Sequence, residues 1–186
     1  MMKPTRITII FLCLAVWSSS LYADVAGKNQ INAAYLYHII NFVQWPDTGS
    51  TDNTAPRRIN ICVVGDTGFA SSLAPLTKRT VARHHIEVTV NPPLAIMHNC
   101  RVLYFANTTA EQTKHWLIAA CRYAILTLGD VPGFARAGGM IGLFAHENTV
   151  RMEVNTRAAA HAGLSFSAKL LEVALNIIKD KSVDCP

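Results

Sequence analysis

Short apolar runs alternate along this chain with segments of helical periodicity. The runs at 59–64, 101–106 and 123–128 contain few polar residues, as is typical of strands buried on both faces of a sheet. Between them lie a short helical segment at 69–76 and a helix from about 110 to 121 that follows a capping-box sequence. This alternation predicts an α/β fold, a three-layer α/β/α sandwich with a mostly parallel central sheet.

Two more helices are predicted near the ends of the chain. Ile31, Tyr35 and Ile39 recur at helical spacing, which predicts an amphipathic helix over 27–43. A second helix is predicted over 167–180, because apolar residues again recur on one face. That face consists of Leu170, Leu171, Ala174, Leu175 and Ile178.

The remaining segments complete the sheet. The run 85–90 alternates apolar and polar residues, so we expect a strand near an edge. Segments 140–145 and 149–154 predict a hairpin that adds an antiparallel edge. The glycine-rich segment 133–139 before this hairpin is predicted to be a flexible loop.

Residues 1–23 have the pattern of a secretory signal peptide. Lys3 and Arg6 precede an uncharged apolar run at 7–17, and Ala23 supplies the small residue expected at a cleavage site. The apolar run has eleven residues, whereas a membrane-spanning helix needs roughly 20. An uncleaved membrane anchor is the alternative. We expect cleavage after Ala23 and export to the periplasm.

The remaining 163 residues, 24–186, suit a single domain with a full hydrophobic core. The formal charge of +5 falls to +3 when Lys3 and Arg6 are removed, and the other basic residues form no stripe. Nucleic-acid binding usually requires a clustered basic surface. We therefore expect one domain and no nucleic-acid partner.

Four cysteines remain after the signal peptide, an even number that indicates disulfides in an oxidising compartment. Three pairings are open in principle. Cys62 lies within one buried run and Cys100 directly precedes another, so neighbouring parallel strands can bring these two together. Two buried free thiols are the alternative. Cys121 and the penultimate Cys185 can pair with each other, pair with another protomer or stay free.

The sequence lacks the common motifs of catalysis and metal binding. No H-E-x-x-H, G-x-S-x-G, P-loop or complete dinucleotide fingerprint occurs. His84 and His85 are adjacent, so on a strand they face opposite sides and do not readily bind one ion. We expect no enzymatic activity, no metal and no cofactor.

The turn 65–68 (Gly-Asp-Thr-Gly) follows a buried run and precedes a helical segment. Backbone N–H groups of such a turn can bind an anionic group of a ligand, although a structural turn is the simpler interpretation. The carboxyl ends of parallel strands meet at one edge of a sheet, so Asp130 is expected nearby. Gly65, Asp66, Gly68 and Asp130 are therefore the candidate residues if the chain is a small-ligand sensor for nucleotides or amino acids.

Five segments, taken in order, resemble a known family. Segment 34–46 ends in Phe-Val-Gln-Trp-Pro, and Ile-Cys-Val-Val-Gly and Cys-Arg-Val-Leu-Tyr-Phe follow at 61–65 and 100–105. Segment 126–141 runs from Leu-Thr-Leu-Gly-Asp to Gly-Gly-Met-Ile, and segment 150–171 runs from Val-Arg-Met-Glu-Val-Asn to Ala-Lys-Leu-Leu. This ordered set, which covers nearly all of the mature chain, resembles the YfiR-like family of periplasmic proteins.

The resemblance implies a periplasmic repressor. It would bind the periplasmic sensor domain of an inner-membrane diguanylate cyclase and lower cyclic-di-GMP synthesis and biofilm formation. The resemblance also implies an OmpA-like, peptidoglycan-associated lipoprotein that sequesters the repressor, a homodimer, and disulfides for stability and redox response. The family's inter-strand disulfide maps onto Cys62 and Cys100. A second, local pair would fall within 133–146, where this chain has no cysteine.

Contact with the cyclase would use exposed aromatic side chains, which often dominate protein interfaces. Trp45, just beyond the first predicted helix, and Phe134, in the predicted loop, are the aromatic candidates. Arg136 and Arg157 are candidates for polar contacts. The alternative is that both aromatic side chains pack inward.

Overall fold

The computed structural model describes residues 19–46, 58–81, 84–147 and 149–179. Its helices are α1 (Ser19–Ile40), α2 (Thr67–Ser72), α3 (Ala74–Thr77), α4 (Ala110–Ala120), α5 (Thr156–His161) and α6 (Ala168–Glu172), with a 3₁₀ helix at Leu94–Asn99. Its strands are β1 (Val43–Gln44), β2 (Arg58–Gly65), β3 (Thr80–Val81), β4 (His84–Val90), β5 (Val102–Ala106), β6 (Leu126–Gly129), β7 (Ile141–His146), β8 (Thr149–Asn155), β9 (Ser165–Phe166) and β10 (Asn176–Ile178).

Eight of the described strands form one sheet, in the order β10-β8-β7-β6-β5-β2-β4-β3. The inner pairs from β4 to β7 are all parallel, whereas β7 and β8 form the predicted antiparallel hairpin. Strand β4 lies next to the edge strand β3, as its alternating pattern predicts. A separate two-stranded sheet pairs β1 with β9. The mostly parallel α/β fold is confirmed.

The two faces of the sheet carry separate hydrophobic cores, because successive strand side chains point to opposite faces. Val63 and Tyr104 pack in one core with Leu36 of α1, and this is the α1-side core. Phe105 packs in the other core with Leu117 of α4, and this is the α4-side core. All residues of β5 are buried, as expected of a central strand covered on both faces. Helices on both faces make the three-layer arrangement.

The first helix is longer than predicted, and its buried face lies slightly to one side of the predicted stripe. It begins at Ser19, and Ile31, expected in the apolar stripe, is 48% exposed. Ile39, also expected there, is 1% exposed, and Asn29 and Asn32 share the buried face with it. The spacing of apolar residues therefore predicts most of this face but not its two polar members.

Residues 1–18, which include most of the predicted signal peptide, lie outside the described residues. Within the part of the chain that the structure describes, no helix has both the length and the apolar character needed to cross a membrane. Cleavage after Ala23 and the single-domain organisation stay predictions.

The helix predicted over 167–180 is wrong beyond its first turns. Helix α6 has only five residues, and the chain continues into β10, which pairs in parallel with β8. The Leu175 amide donates to the carbonyl of Met152 at 2.9 Å, which begins this pairing. The open edge of β8 offers backbone partners, and the β-branched Ile177 and Ile178 suit a strand. Sheet pairing therefore outweighs the helical periodicity.

Cys62 and Cys100 form a disulfide, which confirms this pairing. Their Cα atoms are 5.8 Å apart although they are separated by 38 positions in the sequence. Both are buried in the α4-side core. Cys62 belongs to β2 and Cys100 directly precedes β5, so the bond joins two central strands of the sheet.

Replacing both cysteines, as Cys62→Ala with Cys100→Ala, should lower the free energy of unfolding by about 4 kcal/mol. The cross-link reduces the conformational entropy of the unfolded chain over the loop that it closes. Urea unfolding of the oxidised wild type and the double variant measures the difference. A loss below about 1 kcal/mol would show that the bond adds little to stability.

Candidate functional site

A crevice opens where the connections from two neighbouring parallel strands diverge. After β2 the chain enters α2, whose Phe69 packs in the α1-side core. After β5 the chain enters α4, whose Leu117 packs in the α4-side core. Strands β2 and β5 are adjacent, so their carboxyl ends form a topological switch point, where open α/β sheets commonly bind ligands.

The crevice has a volume of about 300 Å³, at the lower end of the range for small-molecule sites. Segments that follow β2, β5 and β6 form part of its wall, and α1 supplies the rest. Its polar side chains are those of Lys28, Asn29, Asp66, Asn107, Thr108 and Asp130. The structure thus brings together Asp66 and Asp130, two of the four predicted ligand-binding residues.

Asp130 is a buried carboxylate that the protein neutralises. Its side chain is 7% exposed and forms an ion pair with the Nζ atom of Lys28 at 2.9 Å. Its other oxygen accepts a hydrogen bond from the backbone N–H of Asn107 at 3.2 Å. A buried charge is tolerated when it is paired and hydrogen-bonded in this way.

Asp66 caps α2, and this contact decides the role of the 65–68 turn. Its carboxylate accepts a hydrogen bond from the Gly68 amide at 2.8 Å. Gly65 has a φ of +100° and exchanges two hydrogen bonds with the Asn91 side chain. Because these groups are used within the protein and Asp66 is itself anionic, the hydrogen bonds support the structural turn rather than an anion site.

Two asparagines of α1 lie at or beneath the crevice. The amide of Asn32 donates to the hydroxyl of Tyr104 at 3.0 Å in the α1-side core. Burial raises the pKa of the Tyr104 phenol well above its usual value, and the charge of Asp130 raises it further. Asn29 is 8% exposed and lines the crevice, yet its side chain makes no hydrogen bond with any described residue.

A second candidate region is an apolar surface at the edge of the eight-stranded sheet that lies opposite β3. Strand β10 is an edge strand, and large apolar side chains on and before it are exposed. Val173 is 62% exposed, Leu175 46% and Ile177 41%. We call these three residues the β10 edge surface.

A polar cluster lies beside this surface. The buried carboxylate of Glu153 accepts hydrogen bonds from Arg136 at 2.6 Å and from the Asn176 amide at 3.0 Å. The hydrogen bond and then the charge of Glu153 raise the pKa of Arg136, whose side chain stays largely exposed. Arg157 is exposed on α5, directly after Thr156, whose hydroxyl donates to the backbone of β10.

The two aromatic residues predicted to contact a partner have different environments. Trp45 is half-buried, and the guanidinium of Arg101 lies 4.9 Å from the centroid of its ring. Its indole N–H is buried and has no hydrogen-bond partner among the described residues. Trp45 therefore stays a candidate only through the exposed part of its ring.

Phe134 packs inward, which is the stated alternative to exposure, so its candidacy as an exposed contact residue is wrong. Its side chain is 1% exposed, lies in the α4-side core and packs against Phe105. Gly129 and Gly139 lack the side chains that would clash with its ring. The segment 133–139, predicted to be a flexible loop, contains several buried residues and internal backbone hydrogen bonds, so it is part of the packed fold.

The second pair of cysteines is only partly described. Cys121, at the end of α4, is disulfide-bonded. Cys185 lies outside the described residues, so its pairing with Cys121 stays a prediction. Among the residues described, no group of three His, Cys, Asp or Glu side chains could hold a metal ion.

Several residues of both regions have no signal in the local sequence. Lys28 and Asn29 carry no local motif, and only the tertiary position of α1 brings them to Asp130. Leu175 was assigned to the buried face of a helix, so its exposure followed from the wrong secondary structure. A signal was present in Ile177 and Ile178, whose β-branched pair favours a strand over a helix.

Comparison with known proteins gives one extensive match. A sequence model of a family described as YfiR/HmsC-like matches residues 29–175. Among solved structures, a conserved domain protein from Vibrio cholerae O1 biovar eltor is 18% identical with a TM-score of 0.49, over 63% of this chain and 54% of that chain. The chain therefore spans about half the length of that protein. No curated protein matches the chain.

Tyr104→Phe should lower the free energy of unfolding by about 1–3 kcal/mol, because the buried amide of Asn32 loses its partner. The unfolded tyrosine ionises near pH 10, whereas the folded one stays protonated, so the wild type loses stability above pH ~10 and the variant loses less. The difference between the two proteins should therefore shrink at alkaline pH. Urea unfolding at neutral and alkaline pH tests this, and a constant difference would contradict it.

Proposed function

Because the chain belongs to the YfiR/HmsC-like family, we propose that it is a periplasmic repressor of an inner-membrane diguanylate cyclase. It binds the periplasmic sensor domain of the cyclase and holds the enzyme in an inactive state. Cyclic-di-GMP synthesis and biofilm formation then fall. The chain itself acts by contact rather than by catalysis.

The β10 edge surface is the observation that links this proposal to particular residues. Three large apolar side chains are exposed within five consecutive residues, Val173 to Ile177, whereas single exposed apolar residues are ordinary. The outer edge of β10 also offers backbone N–H and C=O groups for strand addition. An extended segment of the sensor domain can therefore gain both apolar burial and backbone hydrogen bonds here.

Arg136 and Arg157 fit this surface as polar contacts at its rim. Arg136 is fixed by its hydrogen bond to the buried Glu153, which also holds Asn176 of β10. An arginine that is already ordered loses less conformational entropy when it binds an acidic group of a partner. Phe134 is no longer a candidate because it is buried, and Trp45 is a secondary one.

Repression requires that the protein binds the inactive state of the cyclase more tightly than the active state. A repressor with equal affinity for both states would not shift their populations. A 100-fold preference, for example, corresponds to about 2.7 kcal/mol of differential binding, which a few apolar contacts can supply.

Three further parts of the proposal follow what the sequence resemblance implies. The repressor is released when an OmpA-like, peptidoglycan-associated lipoprotein sequesters it, and it acts as a homodimer. The Cys62–Cys100 disulfide keeps the central strands together in the oxidising periplasm. Because this chain has no cysteine pair within 133–146, redox response would depend on this bond and on Cys121.

Ile177→Lys should weaken binding to the cyclase at least about tenfold while changing stability by less than about 0.5 kcal/mol. The side chain is exposed, and lysine is well tolerated on an edge strand. Binding is measured by recovery of the membrane cyclase on the immobilised protein, and stability by urea unfolding.

The matched control is Ile96→Lys. Ile96 and Ile177 are both 41% exposed, but Ile96 lies on the 3₁₀ helix, away from β10. The control should bind like the wild type. Full binding by Ile177→Lys would remove the β10 edge surface from the proposal, and failure of the wild type to recover any cyclase would remove the function itself.

A further inference from the structure

The crevice at the carboxyl ends of β2 and β5 contains a polar group without a protein partner. Asn29 is more than nine-tenths buried, lines the crevice and makes no hydrogen bond with any described residue. Solvent reaches its amide from the open side of the crevice. A ligand that enters there can replace water as the partner of Asn29.

The charged residues of the crevice indicate the sign of the charge on such a ligand. Its wall carries two carboxylates, of Asp66 and Asp130, and one ammonium, of Lys28, which gives a net charge of −1. The Lys28 ammonium is already paired with Asp130. The carboxylate of Asp66 receives one hydrogen bond, from Gly68, and no cation pairs with it among the described residues. The carboxylate of Asp66 can therefore accept further hydrogen bonds and pair with a positive charge.

The dimensions limit the size of the partner. A volume of about 300 Å³ corresponds to on the order of ten water-sized units, since each water occupies roughly 30 Å³. A molecule with about ten non-hydrogen atoms would fit, with one side open to solvent where Asp66 is exposed. A macromolecular chain would not fit, apart from a single side chain.

From the amide without a protein partner, the net negative charge and the volume, we infer that this crevice binds a small organic cation carrying a protonated amine. The ammonium group donates to Asp66, and the amide of Asn29 hydrogen-bonds the same molecule. The Lys28–Asp130 ion pair stays intact and forms one wall. This site is separate from the β10 edge surface and from the proposed repression.

Three probes of equal carbon-chain length test the charge requirement: 1,4-diaminobutane, 1,4-butanediol and succinate. Each is titrated into the ¹⁵N-labelled full-length mature protein, and the side-chain amide signals of Asn29 are followed by NMR. The diamine should shift these signals saturably, with a dissociation constant in the millimolar range expected for a fragment. The diol and the dicarboxylate should bind at least about tenfold more weakly.

Two variants separate binding from folding. Asp66→Asn keeps a good cap for α2 but removes the charge, so it should weaken diamine binding about tenfold without loss of the fold. Asn29→Leu removes the amide that has no protein partner; followed through the backbone amide signals of Gly68 and Asn107, it should lose most of the diamine response while the melting temperature of the ligand-free protein changes by less than about 2 °C. A merely structural role for Asn29 would not produce this combination.

Glu111→Gln is the control, because it removes an equal charge from an exposed carboxylate on α4, outside the crevice. It should bind the diamine like the wild type. Absence of a shift at Asn29 would overturn the inference. Equal binding of all three probes, or equal weakening by Asp66→Asn and Glu111→Gln, would also overturn it.

Discussion

The parallel pairing of β2 with β5 is the interaction on which the rest of this structure depends. Five residue pairs align the two strands, and the side chains of both are buried in the cores on either face. The Cys62–Cys100 disulfide joins them where β5 begins, so their separation is limited by a covalent bond. Tyr104 of β5 stacks on Phe69 with ring centroids 3.7 Å apart, which orients the helix that follows β2.

The same pairing also creates the crevice. The two strands are held together along their length, but the chain leaves them toward opposite faces of the sheet. The space between these departing segments cannot be filled by either connection, and the middle of α1 covers it only in part. A polar cavity at this end is therefore a consequence of the topology, and the charges of Lys28, Asp66 and Asp130 decide what it can hold.

The far edge of the sheet has a different character. The last described strand, β10, has a single partner strand and leaves an outer edge with apolar side chains around it. A folded protein that exposes such an edge risks aggregation unless something covers it. In a regulator that works by contact, the exposed edge is the surface that a partner would cover. The crevice and the β10 edge surface thus lie at different places on one sheet.

Sequence patterns predicted the centre of this fold well and its periphery poorly. The apolar runs at 59–64 and 101–106 were predicted to be strands covered on both faces, and they are. Because parallel strands of this kind lie side by side, the same prediction brought Cys62 close to Cys100. The segment 167–180 was ambiguous, because its apolar spacing fits a helix while the vacant edge of β8 favours a strand. No local sequence pattern shows that the edge of β8 is available for pairing.

The site residues show the same division. Asp66 and Asp130 follow predicted strands, so parallel topology alone brought them to one end of the sheet. Asn29 could not be predicted, since a polar residue on a helix is ordinarily exposed and only the packing of α1 buries it. Phe134 was misplaced for the converse reason: its glycine-rich surroundings suggested a loop, but the glycines make room for its ring in the core.

Repression of a membrane diguanylate cyclase by direct contact is the central claim, and cyclase turnover measures it. The purified cyclase in a bilayer converts GTP to cyclic-di-GMP while the oxidised protein is titrated from the side of the periplasmic domain. The account predicts that turnover falls saturably to a low residual rate at the protein concentrations that produce binding. Turnover that is unchanged, or that rises, while the protein is bound would contradict it.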